Sequence, residues 1–457
     1  MIQNNRKQIT VGFVALGCPK NAVDSEKMLS QIVQSGFVIS GEPYNADVVV
    51  INTCGFIEPA KAEALDAIRQ AVKHKKKGRV RKVIVAGCLT QRLKEELFKE
   101  VSGIDCLIGL GSRDQLSSII ESVLAANGPS VFLDRPYDAI FDDSSRLLIG
   151  PSHRAYLRIS EGCDRRCSFC TVPSIRGRFR SKPLNMILSE ADELAKAGVV
   201  ELNVIGQDTT RWGSDIKIKD GLSLLAGKLG ELSGPQWIRL MYLYPKGITD
   251  SLVEVISSSK KIVHYLDIPF QHINEDILKN MRRPDKSERI YRLIEKLRAA
   301  LPDIVLRTTM IVGFPGETPK QFEQLIDFIK WARFDALGCF KFFPEAGTVA
   351  AKLPRQVPEQ VKQQRFDQLM LTQQKIAFEK NKDRLSSKIT CLVDSVDKNG
   401  KAEGRFFGQA PDIDSVCIIK NSPAASCRKT GAGATPGQFI QTRVIASKAY
   451  DLIVKQI

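Results

Sequence analysis

Three apolar runs in the first part of the chain each lead to a cysteine. "QITVGFVALGC" runs to Cys18, "ADVVVINTCGF" to Cys54 and "RKVIVAGCL" to Cys88. The runs are short and rich in β-branched residues, and segments of helical periodicity separate them. One such segment is "NAVDSEKMLSQIVQSG", which Gly36 can close. Strands that are apolar throughout are covered on both faces, and helical crossovers between them require a parallel sheet. A fourth strand is expected in "IDCLIGLGS". This block, residues 8–124, is therefore read as an open parallel α/β domain.

Open parallel sheets bind ligands outside the carboxyl ends of their strands. Cys18, Cys54 and Cys88 all fall at such ends, where residues 36 and 34 positions apart can meet. Cysteine is also a common core residue. Three at equivalent strand ends favour a shared metal site, whereas Cys106, inside its strand, reads as core.

Residues 125–148 mix turn formers with short apolar pieces and read as a linker. A second alternating series follows over 149–382. Its strands are expected to begin near Ala155, Val199, Trp237, His264, Ile304 and Asp335. Six strand–helix steps are fewer than the eight of a closed barrel, so a partial (β/α)6 barrel is expected. From 385 to 455 the texture changes to five short strands between Gly, Pro and Asn turns, the pattern of a small antiparallel β-barrel.

Composition narrows the setting. No apolar run reaches the roughly 18 residues of a membrane span. The polar start "MIQNNRKQIT" is unlike a secretory leader, so a cytoplasmic protein is expected. In a reducing compartment the eleven cysteines are metal ligands or core residues before they are disulfides. A formal charge of +16 favours polyanionic surroundings, RNA above all. The densest basic run is "KHKKKGRVRK", Lys73 to Lys82, and Arg176, Arg178 and Arg180 form another.

The last group carries the most chemistry. "EGCDRRCSFCTVPSIRGRFRSKP" places Cys163, Cys167 and Cys170 in eight residues after the first barrel strand. A structural zinc site needs four protein ligands. No second cysteine pair lies nearby, and His153 precedes the strand. A cubane iron–sulfur cluster has four iron corners, so three thiolates leave one iron open to a small molecule.

C-x-x-x-C-x-aromatic-C, with Phe169 as the aromatic residue, resembles the signature of the radical S-adenosylmethionine superfamily. In that superfamily the open iron binds S-adenosylmethionine, and a partial six-step barrel is its fold. The resemblance is narrower still. "LGCPKNAVDSE", "INTCGFI", "VAGCL", "CTVPSIRGRFRSKP", "YLYP", "DIPFQH" and "IVGFPGET" are similar, in this order, to methylthiotransferases, and the C-terminal barrel is similar to a TRAM domain. Cys18-Pro19-Lys20-Asn21 resembles the branch that modifies an aspartate of a small-subunit ribosomal protein; the tRNA-modifying branch usually has Gln-Met in place of Pro-Lys.

The resemblance implies two 4Fe-4S clusters, one on Cys163, Cys167 and Cys170 and one on Cys18, Cys54 and Cys88, with S-adenosyl-L-methionine as cosubstrate. It implies S-adenosylmethionine contacts at Phe169, at Gly206, Gln207 and Asp208 after the second barrel strand, and at Gly313. The reaction implied is methylthiolation of an unactivated aspartyl β-carbon, which calls for hydrogen-atom abstraction. Methylthiolation of a tRNA adenosine is the alternative, and a non-catalytic zinc or RNA-binding protein is a third class. The implied partners are the ribosomal protein with surrounding ribosomal RNA, a reductase or flavodoxin-type electron donor, and a sulfur source, with no membrane.

Other residues are weighed on chemistry alone. Arg176 and Arg178 can neutralise a cluster or a substrate carboxylate. Lys341 and Glu345 can face the barrel pocket, His264 and His272 read as packing or hydrogen-bonding residues, and "RRP" at Arg282 reads as a surface helix end. Asp412, Asp414 and Glu403 are expected to face a basic protein substrate, and "NSPAASCRKTGAGATPG" is read as an enlarged basic loop.

Overall fold

The computed structural model describes residues 9–133, 142–283, 285–420 and 434–457. The chain divides into two compact units: residues 1–149, 160–166 and 170–186 form one, and 150–159, 167–169 and 187–457 the other. Among the described residues no helix is long and apolar enough to cross a membrane.

The first unit holds a six-stranded parallel sheet. Its strands are β1 (Thr10–Ala15), β2 (Val38–Ser40), β3 (Val48–Thr53), β4 (Lys82–Gly87), β5 (Cys106–Ile108) and β6 (Ser130–Phe132), in the spatial order β2-β1-β3-β4-β5-β6. Side chains alternate between two cores. Val49 and Ile51 of β3 pack with Ala64, Leu65, Ile68 and Val72 of the helix Glu58–Lys76 on one face. Val48 and Val50 pack with Met28, Leu29, Ile32, Leu116, Ile119 and Ile120 on the other. Cys106 is fully buried in the second core, where burial pushes its thiol up to about 12.

The sequence reading anticipated four strands here. The other two are short edge strands. β2 has only three residues, and β6 lies inside the stretch read as linker, where "SVF" adds parallel to β5. Three residues between turn formers carry too little periodicity to be recognised.

β7 (Arg154–Arg158) opens the second unit; the chain then returns to the first for the short antiparallel pair β8 (Ser160–Glu161) and β9 (Arg180–Ser181). β10 (Glu201–Ile205), β11 (Trp237–Leu240), β12 (Ile262–Asp267), β13 (Val305–Val312) and β14 (Ala336–Lys341) complete a parallel sheet with β7. The order β14-β13-β12-β11-β10-β7 is sequential and unclosed, which makes it the partial barrel expected.

β15 (Lys388–Val396), β16 (Ala402–Phe406), β17 (Cys417–Lys420), β18 (Phe439–Lys448) and β19 (Asp451–Gln456) close into the small barrel, antiparallel except where β17 meets β19. The enlarged basic loop lies almost entirely outside the described residues.

The small barrel is bolted to the amino-terminal edge of the β7–β14 sheet by buried charges. Glu201, the first residue of β10, accepts from Arg405 at 2.6 Å and from Arg239 at 3.1 Å. Arg405 also donates to Asp394 at 2.7 Å, and Asp394 meets His153 at 3.0 Å. Arg239 reaches the Phe407 carbonyl at 2.6 Å.

Candidate functional site

The strand order of the first unit reverses between β1 and β3, and a crevice forms outside the carboxyl ends where neighbouring crossovers run to opposite faces. Cys18 follows β1 and Cys54 follows β3, so they flank this switch point; Cys88 opens the short helix Cys88–Leu93 after β4. Glycines let the segments approach. Gly17 has φ +96°, and a Cβ there would lie 2.6 Å from the Cys54 Cβ and 3.2 Å from its Sγ. Gly87 has φ +95°, and a Cβ there would strike Asn52 Oδ1 at 2.3 Å. The Asn52 Nδ2 in turn donates to Ser25 at 2.8 Å, tying β3 to the helix that Cys18 caps.

One cation serves the three thiols. Burial pushes Cys88 up to about 12, with Arg176 pulling it back and Cys18 and Cys54 adding to the rise. Burial also raises Cys54, with Cys18 adding to the rise and Arg176 opposing it. Burial by itself favours a neutral guanidinium, but Cys88, Glu161, Asp24 and Cys18 hold Arg176 well above its ordinary value.

Arg176 Nη1 donates to Glu161 at 3.0 Å and Nη2 to Asp24 at 3.0 Å. Asp24 also accepts from Arg113 at 2.9 Å, Arg113 bonds Asp143 at 3.1 Å, and Lys182 bonds Asp143 at 2.7 Å. The site thus rests on a buried ladder of alternating charge. Sequence reasoning missed Asp24, Arg113, Asp143 and Glu161. The one available signal was a carboxylate, Asp24, on the buried side of an amphipathic helix.

Among the described residues, no three His, Cys, Asp or Glu side chains are drawn together around a single ion. A zinc-type site needs all its sulfurs about 2.3 Å from one centre. A cubane takes each thiolate at a different corner, and three cysteines at glycine-cleared strand ends fit that group.

In the second triad each sulfur receives a donor. Arg165 N–H reaches Cys163 Sγ at 3.4 Å, and Val172 N–H reaches Cys170 Sγ at 3.4 Å. Arg283 Nη1 points at Cys167 Sγ at 3.9 Å. Such donors stabilise thiolates and tune iron–sulfur centres. A cavity of about 580 Å³ adjoins Cys163 and is lined by Asp164, Arg165, Arg166, Pro173, Gly177 and Arg178. The two arginines named together from the sequence have separated: Arg176 is buried beside the first triad and Arg178 is exposed on this cavity.

Cys167 and half-buried Phe169 belong to the second unit. Ser168 between them is pinned by its N–H to the Met281 carbonyl at 3.0 Å and its hydroxyl to the Asn280 carbonyl at 2.7 Å. Gly206, Gln207 and Asp208 follow β10 at the sheet's carboxyl end, and Asp208 accepts from the Thr210 hydroxyl. Gly313 has φ +71°, and the stem that crowds it is Lys362, whose Cγ would lie 2.3 Å from an added Cβ.

Several readings are corrected. "RRP" is more than a helix end: Arg282 is exposed, but Arg283 is buried, stacks 4.5 Å over the Tyr244 ring and reaches Cys167. Lys341 donates to Glu359 at 2.6 Å and to Gln363 at 2.9 Å, and Glu345 is buried. Asp412 takes both Arg154 nitrogens, at 2.9 and 2.7 Å, and Asp414 accepts from Tyr265 at 2.7 Å. These two carboxylates tie the small barrel to the sheet, a role that a sequence pattern does not reveal, since it cannot tell a free acid from one with a distant arginine. Glu403 pairs with Lys401. The histidines are as read: His264 meets Asp303 at 2.5 Å and His272 meets Glu317 at 3.3 Å.

Fold and cysteine loops together define a radical S-adenosylmethionine enzyme with two accessory domains. The Radical SAM superfamily pattern matches residues 157–329, "Uncharacterized protein family UPF0004" matches 10–109, and the TRAM domain matches 387–457. The chain belongs to the ribosomal protein uS12 methylthiotransferase family. It is 43% identical to "Ribosomal protein uS12 methylthiotransferase RimO" of Pelotomaculum thermopropionicum over 97% of this chain and 98% of the relative. It is 41% identical to the protein of the same name from Symbiobacterium thermophilum, over 98% and 91%.

Among solved structures, the radical S-adenosylmethionine methyltransferase TsrM from Kitasatospora setae, with cobalamin and a 4Fe-4S cluster bound, superposes with a TM-score of 0.55. The identity is 13%, over 75% of this chain and 77% of that one, a likeness of fold alone.

Proposed function

We propose that this protein methylthiolates the β-carbon of an aspartyl residue of ribosomal protein uS12. The observation that carries the reading is the placement of Cys18, Cys54 and Cys88 at the carboxyl ends of the neighbouring strands β1, β3 and β4 in a chain that also holds the C-x-x-x-C-x-x-C loop. Its relatives over nearly the whole length carry the uS12 name, which favours the protein substrate over a tRNA adenosine.

We assign Cys163, Cys167 and Cys170 to the S-adenosylmethionine cluster and Cys18, Cys54 and Cys88 to an auxiliary 4Fe-4S cluster. When bound, the first cluster with S-adenosylmethionine supplies hydrogen-atom abstraction, and the second is a carrier for sulfur. The chain's own residues set the stage. The Arg165 and Val172 amides and Arg283 hold negative charge on the loop sulfurs. Arg176, braced by Asp24 and Glu161, offsets the charge of the auxiliary thiolates. Phe169, Gly206, Gln207, Asp208 and Gly313 are the proposed cosubstrate contacts.

The reading extends to a cytoplasmic enzyme, a reductase or flavodoxin-type donor, an external sulfur source, and ribosomal RNA around the protein substrate. The test offers anaerobically reconstituted enzyme, with S-adenosylmethionine, sulfide and reductant, either uS12 or bulk tRNA. A gain of one methylthio group on an aspartate of uS12 is expected; the same gain on tRNA adenosine and none on uS12 overturns the assignment.

A further inference from the structure

We infer that Asp267 and Arg307 are positioning residues: they act through a strained turn at Tyr242 to fix the loop of Gly206, Gln207 and Asp208, and they tie that loop to the small barrel. The inference rests on the proposed role of this loop as an S-adenosylmethionine contact.

The starting observation is backbone strain. Tyr242 lies two residues past β11, at the carboxyl end of the sheet, with φ +58°. A bulky aromatic residue is strained in that left-handed conformation and keeps it only where its surroundings over-determine it. Here they do. The Tyr242 N–H donates to Asp267 Oδ2 at 3.2 Å, and the next N–H, of Leu243, donates to the Asp267 carbonyl at 2.9 Å. On the other side, Thr209 brings its N–H to the Tyr242 carbonyl at 3.2 Å and its hydroxyl to the Met241 carbonyl at 2.7 Å. Thr209 follows Asp208 directly and is fully buried, so what holds the turn also holds the end of the loop. Relaxing φ at Tyr242 would reorient the carbonyl that Thr209 meets.

Asp267 is the last residue of β12 and is fully buried. A carboxylate there stays ionised only beside a cation. Arg307, its register partner on β13, supplies one: Nη1 donates to Asp267 Oδ1 at 2.9 Å. Arg307 Nε also lies 3.4 Å from Asp414 Oδ1, and Asp414 Oδ2 accepts from the Ala410 N–H at 2.9 Å and from the Tyr265 hydroxyl. Burial by itself favours a neutral guanidinium, but Asp267, Tyr265 and Asp414 hold Arg307 above its ordinary value. The result is an unbroken path of polar contacts. It runs from Ala410 and Asp414 in the small barrel through Arg307 and Asp267 to Tyr242, Thr209 and Asp208. Each member is placed by the next, so loosening one is felt along the path.

The test follows the loop in anaerobic holoenzyme without reductant, so it does not depend on methylthiolation. Amide hydrogen exchange in the absence of S-adenosylmethionine reports the loop, and equilibrium dialysis of labelled S-adenosylmethionine reports its affinity. Asp267→Ala is expected to speed exchange across residues 206–210 and 241–243. It should also raise the dissociation constant about tenfold, as loss of a hydrogen bond to a charged group does. With reductant added, turnover of saturating S-adenosylmethionine to 5′-deoxyadenosine should stay within about twofold, the mark of an interaction equal in ground and transition states. Asp267→Asn keeps an acceptor for the Tyr242 N–H and should recover most of the affinity. Arg307→Lys and Asp414→Asn, further along the path, are expected to weaken binding about threefold each. These two variants decide the outcome if Asp267→Ala does not fold. Asp208→Ala separates the inference from the reading beneath it. Wild-type affinity in that variant overturns the loop's role at the cosubstrate, and the inference with it. Weakened binding in Asp208→Ala, with wild-type affinity and exchange in Asp267→Ala and Arg307→Lys, overturns the positioning role alone. So does exchange that quickens throughout the second unit with the loop no more affected than the rest, which makes these contacts a general structural tie.

Discussion

At the scale of single residues, two arginines bear on the proposed ligand sulfurs. Arg283 gives a charged donor to Cys167 and also bonds the Pro269 carbonyl at 2.7 Å. A donor at a cluster sulfur favours the reduced, more negative state. Arg283→Gln is therefore expected to lower the midpoint potential of the S-adenosylmethionine cluster by about 60 mV, a tenfold change in a one-electron equilibrium. Redox titration followed by electron paramagnetic resonance reads the shift, and the auxiliary cluster should not move. Arg176 works inside the first unit, where Asp24 and Glu161 are both buried. Arg176→Met removes the cation those carboxylates share and is expected to cost about 3–5 kcal/mol, as breaking a buried ion pair does. Thermal melting of the apo protein checks it, and an unchanged melting temperature would contradict the charge ladder.

At the scale of elements, the sheet places Cys18, Cys54 and Cys88 on one edge. The crossovers of a parallel sheet deliver three strand ends to one edge, and the glycines at the ends remove the last obstacle. Gly17→Ala would place a methyl group against Cys54 in a left-handed backbone, at a cost of about 1–3 kcal/mol from backbone strain alone. The expected outcome is loss of the auxiliary cluster only. Iron should fall from about eight to about four per chain, two cubanes to one, while uncoupled formation of 5′-deoxyadenosine continues. Cys163, Cys167 and Cys170 changed together to Ala should give the reverse pattern, with about four irons kept and 5′-deoxyadenosine abolished. Loss of all iron in either variant would show that the two sites are not independent.

On the scale of the whole molecule, the small barrel is held to the sheet by charge as well as by apolar packing. Glu201→Gln removes the buried anion shared by Arg239 and Arg405, with an expected cost of about 3–5 kcal/mol read by denaturant unfolding. The same network has a pH signature. Burial raises the Asp394 carboxyl, but hydrogen bonds from His153 and Arg405 outweigh it and hold the value at about 2, against an ordinary 3.8. A depressed carboxyl contributes stability that is complete above the unfolded value and is lost as pH falls toward the folded one. About 2 kcal/mol should therefore disappear between roughly pH 4 and 2. Asp394→Asn should remove that part of the acid dependence, as followed by unfolding at stepped pH.

Periodicity and spacing in the sequence by themselves determined the parallel sheet, the six-step open barrel and the five strands of the small barrel, and singled out six cysteines as candidate ligands. Each is a local signal: an apolar run that fits a two-sided strand, a turn former that ends it, a sulfur at its end. What only the tertiary structure decided is who meets whom. The pairing of Asp412 with Arg154 joins residues 258 positions apart, and nothing local to "APDID" distinguishes an anchoring carboxylate from a free one. Arg176 and Arg178 look alike in "SIRGRFR", yet the turn at Gly177 sends one to the buried thiols and leaves the other on the surface. Arg283 came to Cys167 from 116 residues away. The electrostatic partners of a buried charge are chosen by chain crossings, and these leave no mark in the neighbouring sequence.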